Sequence, residues 1–285
     1  MGTVDLHIHT TASDGTLTPA EVVDLAKSLG LEAIAITDHD TAAGAGPGVA
    51  AGLAAGLEVI PGIEVSVDFR GREIHILGYF IDPEDPALQP VLDWVVEDRD
   101  RRNEKIVGML ERDGYGVSLA ALKRENPGAV IGRPHIARAL LAGGHVSSVN
   151  EAFDRFLAEG KPYFLPRAYL PLQQAMDSIR TAGGVAVLAH PLWWGFEDSF
   201  LRDMIAAVKA AGVVGMEVQY STNTPEQTAY AMTLAEEFGL LPTGGSDFHG
   251  DAKPEVRMGV GMGDLNVPRA WLDSLRARRN DMTID

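Results

Sequence analysis

The chain has 285 residues, enough for one large domain or for a domain carrying a sizeable insertion, and either can bury a full core. It has no cysteine, which excludes disulfides, thiolate nucleophiles and thiolate metal sites, so any metal must sit on His, Asp and Glu. A formal net charge of −16 disfavours broad tracking of a nucleic-acid backbone. With no long apolar run and no basic leader, a soluble cytoplasmic protein without membrane contact is the expectation.

Strand-like and helix-like segments alternate from the start. TVDLHI (3–8) reads as a strand, and TPAEVVDLAKSLG follows as a helix with Thr18 as N-cap, Pro19 at the first helical position, Glu21 completing a capping box and Gly30 ending it. LEAIAIT (31–37) is the next strand, GAGPGVAAGLAAG (44–56) a short helix, and LEVIPGI (57–63) the third strand. SVDFRGREIHI then breaks the alternation, because two strand-like pieces around Arg70 and Gly71 read as a hairpin leading into REIHILGY (72–79). The sheet is therefore expected to be mixed at that point.

Between residues 83 and 166 the strand pattern disappears and the chain turns helical and charged, so this stretch reads as an insertion. Alternation resumes with GVAVLA (184–189), SFLRDMIAAVKAAG, VVGMEV (213–218), PEQTAYAMTLAEEFG and LLPTGG (240–245). Strand and helix repeated in this way predict parallel strands with right-handed crossovers, a barrel formed by residues 1–82 and 167–285 and capped by the insertion. The tail RRNDMTID reads as frayed.

The strand ends carry the polar residues. In an α/β barrel the carboxyl ends of the strands share one face, so residues distant in sequence converge there. His7 and His9 are two apart on a strand and point the same way. With Asp14, His39, Glu64, His75, His190, Asp247 and His249 they make a set of nine imidazoles and carboxylates that suits two to three divalent ions of Mn, Fe or Zn. Such a cationic cluster suits a phosphate ester, with hydrolysis of phosphomonoesters as the leading reaction.

Other residues admit two readings. Asp14 also fits a turn at Ser13-Asp14-Gly15; Asp38 and Asp40 flank His39 as helix caps or as partners fixing its tautomer, with Asp40 open as a proton donor. Arg133, His135 and Arg138 form either a solvated helix face or a phosphate clamp, and Lys161 and Arg167 make a second basic patch. Trp193, Trp194 and Phe196 are either lids on the core or a platform for a base, and His145 reads as a structural loop residue.

DLHIHTTASDG, ITDHD, GIEVS, HILGY, AHP and GSDFH, in that order over residues 5–249, resemble the motifs of the PHP (polymerase and histidinol phosphatase) family. The resemblance implies an α/β fold, a distorted seven-stranded TIM-like (β/α) barrel with a trinuclear centre. It assigns His7, His9, Glu64 and Asp247 to one ion, Glu64, His75 and His190 to a second, and Asp14, His39 and His249 to a third. Asp14 stands where histidinol phosphate phosphatases of the family tend to have His, and GRPHIAR and GKPYF look like the branch acting on AMP and 3',5'-bisphosphonucleosides.

The resulting expectation is a phosphoesterase in which a metal-bridging hydroxide attacks a nucleotide phosphorus while Arg133, His135 and Lys161 grip phosphate oxygens. A 5'→3' exonuclease on short RNA is the alternative enzyme, and a non-catalytic metal-bearing accessory module the alternative of another class.

Overall fold

The computed structural model describes residues 3–282. The sheet is built from β1 (Thr3–Ile8), β2 (Ala33–Ile36), β3 (Glu58–Phe69) and β4 (Arg72–Tyr79), with α1 (Pro19–Ser28) and α2 (Ala45–Ala55) between its first strands. The helical stretch follows as α3 (Gln89–Arg112), α4 (Leu119–Glu125), α5 (Arg133–Ala142), α6 (Val149–Ala152) and a π-helical turn at Phe153–Leu157. After a two-residue β5 (Leu170–Pro171) come α7 (Leu172–Thr181), β6 (Val185–Leu188), α8 (Asp198–Ala210), β7 (Gly215–Tyr220), α9 (Pro225–Phe238) and β8 (Leu241–Gly245). A two-residue β9 (Val267–Pro268) and α10 (Arg269–Met282) complete the order.

The strand order is β8-β7-β6-β4-β3-β2-β1-β9, with β5 paired to β3. The barrel closes between its first and last long strands through an isolated parallel bridge from Ile8 to Phe248, where the Asp247 N–H donates to His7 O and the His9 N–H to Phe248 O, both at 2.9 Å. Close approach there requires Gly245, since a Cβ at that position would lie 2.4 Å from His7 Cβ. Seven strands thus form a distorted, nearly closed barrel, and only β4 runs antiparallel to its barrel neighbours β3 and β6.

Residue alternation explains the layers. Ala33 and Ala35 of β2 pack with Leu77, Tyr79, Val185 and Val187, while Ile34 and Ile36 pack outward on Val22, Val23 and Ala26 of α1. The insertion carries its own apolar cluster, including Ile106, Leu110, Ile136, Leu140, Phe156 and Leu157. Thr18 and Glu21 form the capping box read from sequence.

Two details differ from that reading, and the hairpin between them agrees with it. β3 does not end at residue 63 but runs to Phe69, because its alternating residues continue to pair with β4 up to Phe69 opposite Arg72. The turn between them, Arg70 and Gly71, has positive φ at both residues, as a two-residue hairpin requires. The tail is helical through Met282 rather than frayed from residue 278, since Leu272 and Leu275 anchor α10; residues 283–285 lie outside the described residues. Among the described residues no helix is long and apolar enough to cross a membrane.

Candidate metal centre

The β/α geometry brings eight of the nine strand-end residues into one buried nest, with His39 partly exposed beside them. Glu64 is at its middle: Oε1 lies 2.7 Å from His75 Nδ1 and 2.9 Å from His190 Nε2, and Oε2 lies 2.9 Å from His39 Nδ1 and 3.3 Å from both His7 Nε2 and His9 Nε2. Asp247 Oδ1 is 3.0 Å from His9 Nε2, and Asp14 Oδ1 is 3.2 Å from His249 Nε2. His75 reaches this nest because the β3–β4 hairpin extends beyond the barrel rim, its position opposite Ser66.

Donor atoms of His9, Asp14, His39 and His249 lie within 4.8 Å of one another, as do those of His7, His9 and Glu64, and those of His39, Glu64 and His75. Seven atoms of the nest are buried with no hydrogen-bond partner: His7 Nε2, His9 Nδ1 and Nε2, Asp14 Oδ1, His39 Nδ1, Glu64 Oε2 and His190 Nδ1. An unsatisfied buried polar atom costs roughly 1–3 kcal/mol, so this many together cost on the order of the 5–15 kcal/mol that stabilises a whole domain. Divalent cations meet that deficit, and the all-oxygen-and-imidazole donor set fits them.

Charge in the nest follows from the same contacts. Burial alone would lower the pKa of His9 and His75, but the carboxylates of Glu64 with Asp247 and Glu73 outweigh it and raise both to about 9. His249 is lowered to about 4 by burial together with Lys253 and His9. Burial opposes ionisation of Glu64, yet the surrounding imidazoles hold it well below the usual carboxylate range. Among the described residues, three of the five non-glycine residues with positive φ are here, Asp40, His190 and Asp247, as backbone strain at functional sites leads one to expect.

The residues flanking the nest depart from the sequence reading in several places. Asp40 is not the proton donor left open for it: it accepts from Arg99 Nε at 2.9 Å, Arg167 Nη1 at 3.0 Å and the Ser66 N–H at 2.8 Å. Burial would raise its pKa, but the two guanidiniums hold it well below the carboxylate range, so it carries no proton to give near neutrality. Asp38 contacts the loop after β1 rather than His39, accepting from Thr10 N–H and O–H and from Ser13 O–H at 2.6–2.8 Å.

His135 is a helix cap, not a phosphate-binding cation. Its Nδ1 accepts the Gly132 N–H at 3.0 Å, and burial with Arg138 nearby lowers it to about 4, leaving it neutral. Lys161 is exposed, and among the described residues no side-chain contact joins it to the nest. Arg133 does face the site: it stacks over Phe164 at 5.4 Å, with Nη2 3.9 Å from Glu73. Arg138 donates to Asp14 O at 2.9 Å, and Arg167 spans Asp40 and Glu73.

The sequence reading passed over Arg99, Arg102, Glu73, Glu217, Tyr220 and Lys253. Arg99 and Arg102 lie on the buried stripe of α3 with Leu92, Val95, Ile106 and Leu110, and an arginine at a stripe position was the available signal. Among the described residues Arg102 bonds only the Asn103 amide oxygen, at 3.0 and 3.3 Å, with no carboxylate in ion-pair contact. Burial and the nearby Arg99, Arg167 and Arg133 pull its pKa down to about 8. Tyr220 O–H and Lys253 Nζ donate to Asp247 Oδ2 at 2.8 and 2.7 Å. Aromatic rings close one edge: Trp193 lies 5.5 Å from the His190 ring and is 52% exposed, and Trp194 lies 5.2 Å from His75.

A nearly closed β/α barrel whose rim carries a buried, partnerless set of imidazoles and carboxylates defines a metal-dependent enzyme. The PHP domain matches residues 5–159. A 5'-3' exoribonuclease of Haemophilus influenzae is 37% identical over 245 residues, 86% of this chain and 89% of that protein. A 3',5'-nucleoside bisphosphate phosphatase of Chromobacterium violaceum is 35% identical over 251 residues, 87% of this chain and 88% of that one. A crystal structure from Bifidobacterium adolescentis, assigned as a metal-dependent phosphoesterase, has a TM-score of 0.87 at 31% identity, covering 97% of this chain and 96% of its own. The chain belongs to the PHP domain family and is a hydrolase of phosphoester bonds.

Proposed function

We propose that this enzyme removes a phosphate from nucleotides, with 3',5'-bisphosphonucleosides or AMP as the substrate class, using two to three divalent ions of Mn, Fe or Zn. The observation that carries the reading is the combination of two unbalanced groups: seven partnerless atoms on the barrel rim, and the buried Arg102 of α3, set among Arg99, Arg133 and Arg167 near Glu73, with no carboxylate in ion-pair contact among the described residues. His7, His9, Glu64 and Asp247 would hold one ion, Glu64, His75 and His190 a second, and Asp14, His39 and His249 a third. When bound, the ions supply a nucleophilic water at neutral pH and neutralise charge on the phosphoryl oxygens.

The chain's own residues do the rest. Arg102 and Arg133 offer guanidinium forks to phosphate oxygens, bonds that are shorter and stronger for being charge-assisted. Arg99 and Arg167, held by Asp40 and Glu73, fix the insertion over the rim and exclude bulk water. The half-exposed Trp193 provides a face on which a nucleobase stacks. The insertion, residues 83–166, acts as a cap that limits substrate length, and the lack of cysteine fits a cytoplasmic setting.

A second reading, stepwise 5'→3' trimming of short RNA, draws on the likeness to the Haemophilus influenzae exoribonuclease. An assay of phosphate release from AMP, 3',5'-bisphosphoadenosine, histidinol phosphate and short RNAs, with Mn present, separates the two. The phosphatase reading expects inorganic phosphate from the nucleotides with little salt dependence. Stepwise shortening of RNA with steep loss at high salt, and no release from mononucleotides, overturns it.

A further inference from the structure

Glu217, inside β7, is fully buried and has no Lys or Arg paired with it among the described residues. Its carboxylate lies beneath the nest. Oε1 and Oε2 are 3.1 and 3.2 Å from His7 Nδ1, and Oε2 also accepts the His190 N–H at 2.8 Å. These two contacts fall on histidines that the metal reading gives to different ions. They also have different physical consequences.

At His7, an ionised carboxylate accepts but does not donate, so Nδ1 must carry the proton. In the neutral imidazole that a metal ligand must be, Nε2 is then the nitrogen with the free lone pair, and it lies 3.3 and 3.6 Å from Glu64 and Asp247, on the nest side of the ring. At His190, the backbone has φ of 27°, a region unfavourable for any residue with a Cβ, and Pro191 follows. Such a conformation persists only when its surroundings over-determine it, and the His190 N–H bond to Glu217 is a direct tie on that peptide.

We propose that Glu217 is a positioning residue for two metal positions at once: it holds the proton of His7 on Nδ1 so that Nε2 can ligate, and pins the strained His190 backbone so that its imidazole enters the nest. The proposal rests on the metal-centre reading. Outer carboxylates that orient histidine ligands typically change metal affinity by roughly 10–100-fold when removed.

Glu217→Gln tests it because it keeps the shape and changes the hydrogen-bond logic. The amide has one acceptor, which the His190 N–H takes, so its NH₂ faces His7 Nδ1 and drives the proton to Nε2, the ligating atom. In the metal-free variant, at a pH high enough for the His7 imidazole to be neutral, long-range ¹H–¹⁵N NMR should show its proton on Nε2, against Nδ1 in the parent protein at the same pH. Equilibrium dialysis with Mn followed by elemental analysis should show at least one equivalent bound about 10–100-fold more weakly, with the metal-free melting temperature near that of the parent.

Parent-like Mn binding and an unchanged His7 tautomer in Glu217→Gln overturn the proposal. Failure of the parent protein itself to bind Mn or any other divalent ion sinks the metal-centre reading instead, so the two failures are distinguishable. If Glu217→Gln does not fold, Glu217→Asp serves: it keeps the acceptor but withdraws it by one methylene. The expected result is His7 retaining Nδ1–H with weakened Mn binding, and parent-like binding overturns the proposal.

Discussion

The floor and the roof of the site are unbalanced in opposite senses. On the barrel rim, nitrogen and oxygen atoms of His7, His9, Asp14, His39, Glu64 and His190 are buried without hydrogen-bond partners; on α3, Arg102 is a buried cation with no carboxylate in ion-pair contact among the described residues. Neighbouring arginines differ: Arg99 and Arg167 are neutralised by Asp40 and Glu73 and hold the insertion in place. The contrast teaches that burial alone does not mark a binding residue. A buried charge with a partner is architecture, and one without a partner is waiting for a ligand.

The floor gives the largest expected effect. Replacing His9 or Asp247 with Ala should lower kcat by about 1,000-fold or more, since metal stabilisation of developing charge supplies several kcal/mol, and should reduce bound metal in elemental analysis. Full activity in metal-stripped His9→Ala protein would end the metal reading.

Cutting the architecture should act through stability instead. Asp40→Ala strands Arg99 and Arg167 as buried cations, and breaking a buried pair in this way costs about 3–5 kcal/mol, readable in a denaturant melt. A melt indistinguishable from the parent's would remove Asp40 from the structural role given to it here.

At the roof the two readouts should move in opposite directions. Arg102→Met removes a charge-assisted phosphate contact worth roughly 1.5–3 kcal/mol, so kcat/KM for nucleotides should fall about 10–100-fold while bound metal is unchanged. The ligand-free protein should melt higher, because an unpaired buried cation has gone. Unchanged kcat/KM would break the comparison between floor and roof.

The floor also predicts a pH window. His9 and His75, raised from 6.5 to about 9 by Glu64 with Asp247 and Glu73 against the opposing effect of burial, are protonated at neutral pH in the metal-free protein. Folded values above unfolded ones mean that their ion pairs stabilise the metal-free fold fully below pH 6.5 and lose that contribution as pH rises through about 9. Metals require the lone pairs those protons occupy, so metal affinity should rise with pH over the same window, with proton release. A flat titration between those limits would contradict it.

The smallest effect belongs to the edge. Trp193→Ala should cost about tenfold in kcat/KM on nucleotides, since stacking of one base contributes roughly 1–3 kcal/mol, and leave a phosphate ester without a base unaffected. Equal losses on both substrates would make Trp193 a wall of the site and not a platform.

The sequence alone determined the alternation of strands and helices, the hairpin at Arg70 and Gly71, and the set of nine residues at the rim, because these depend on local periodicity and on positions at strand ends. Charge partners were beyond its reach, because pairing is a property of elements far apart in the chain. That Asp40 meets Arg99 and Arg167, and that Lys161 stays in solvent, follow from how the insertion sits on the barrel, whereas His135 turns back to cap its own helix through a local contact with Gly132. Glu217 shows the same limit from inside a strand: only barrel closure reveals that its carboxylate lies under His7 and His190, where it decides which lone pairs face the site.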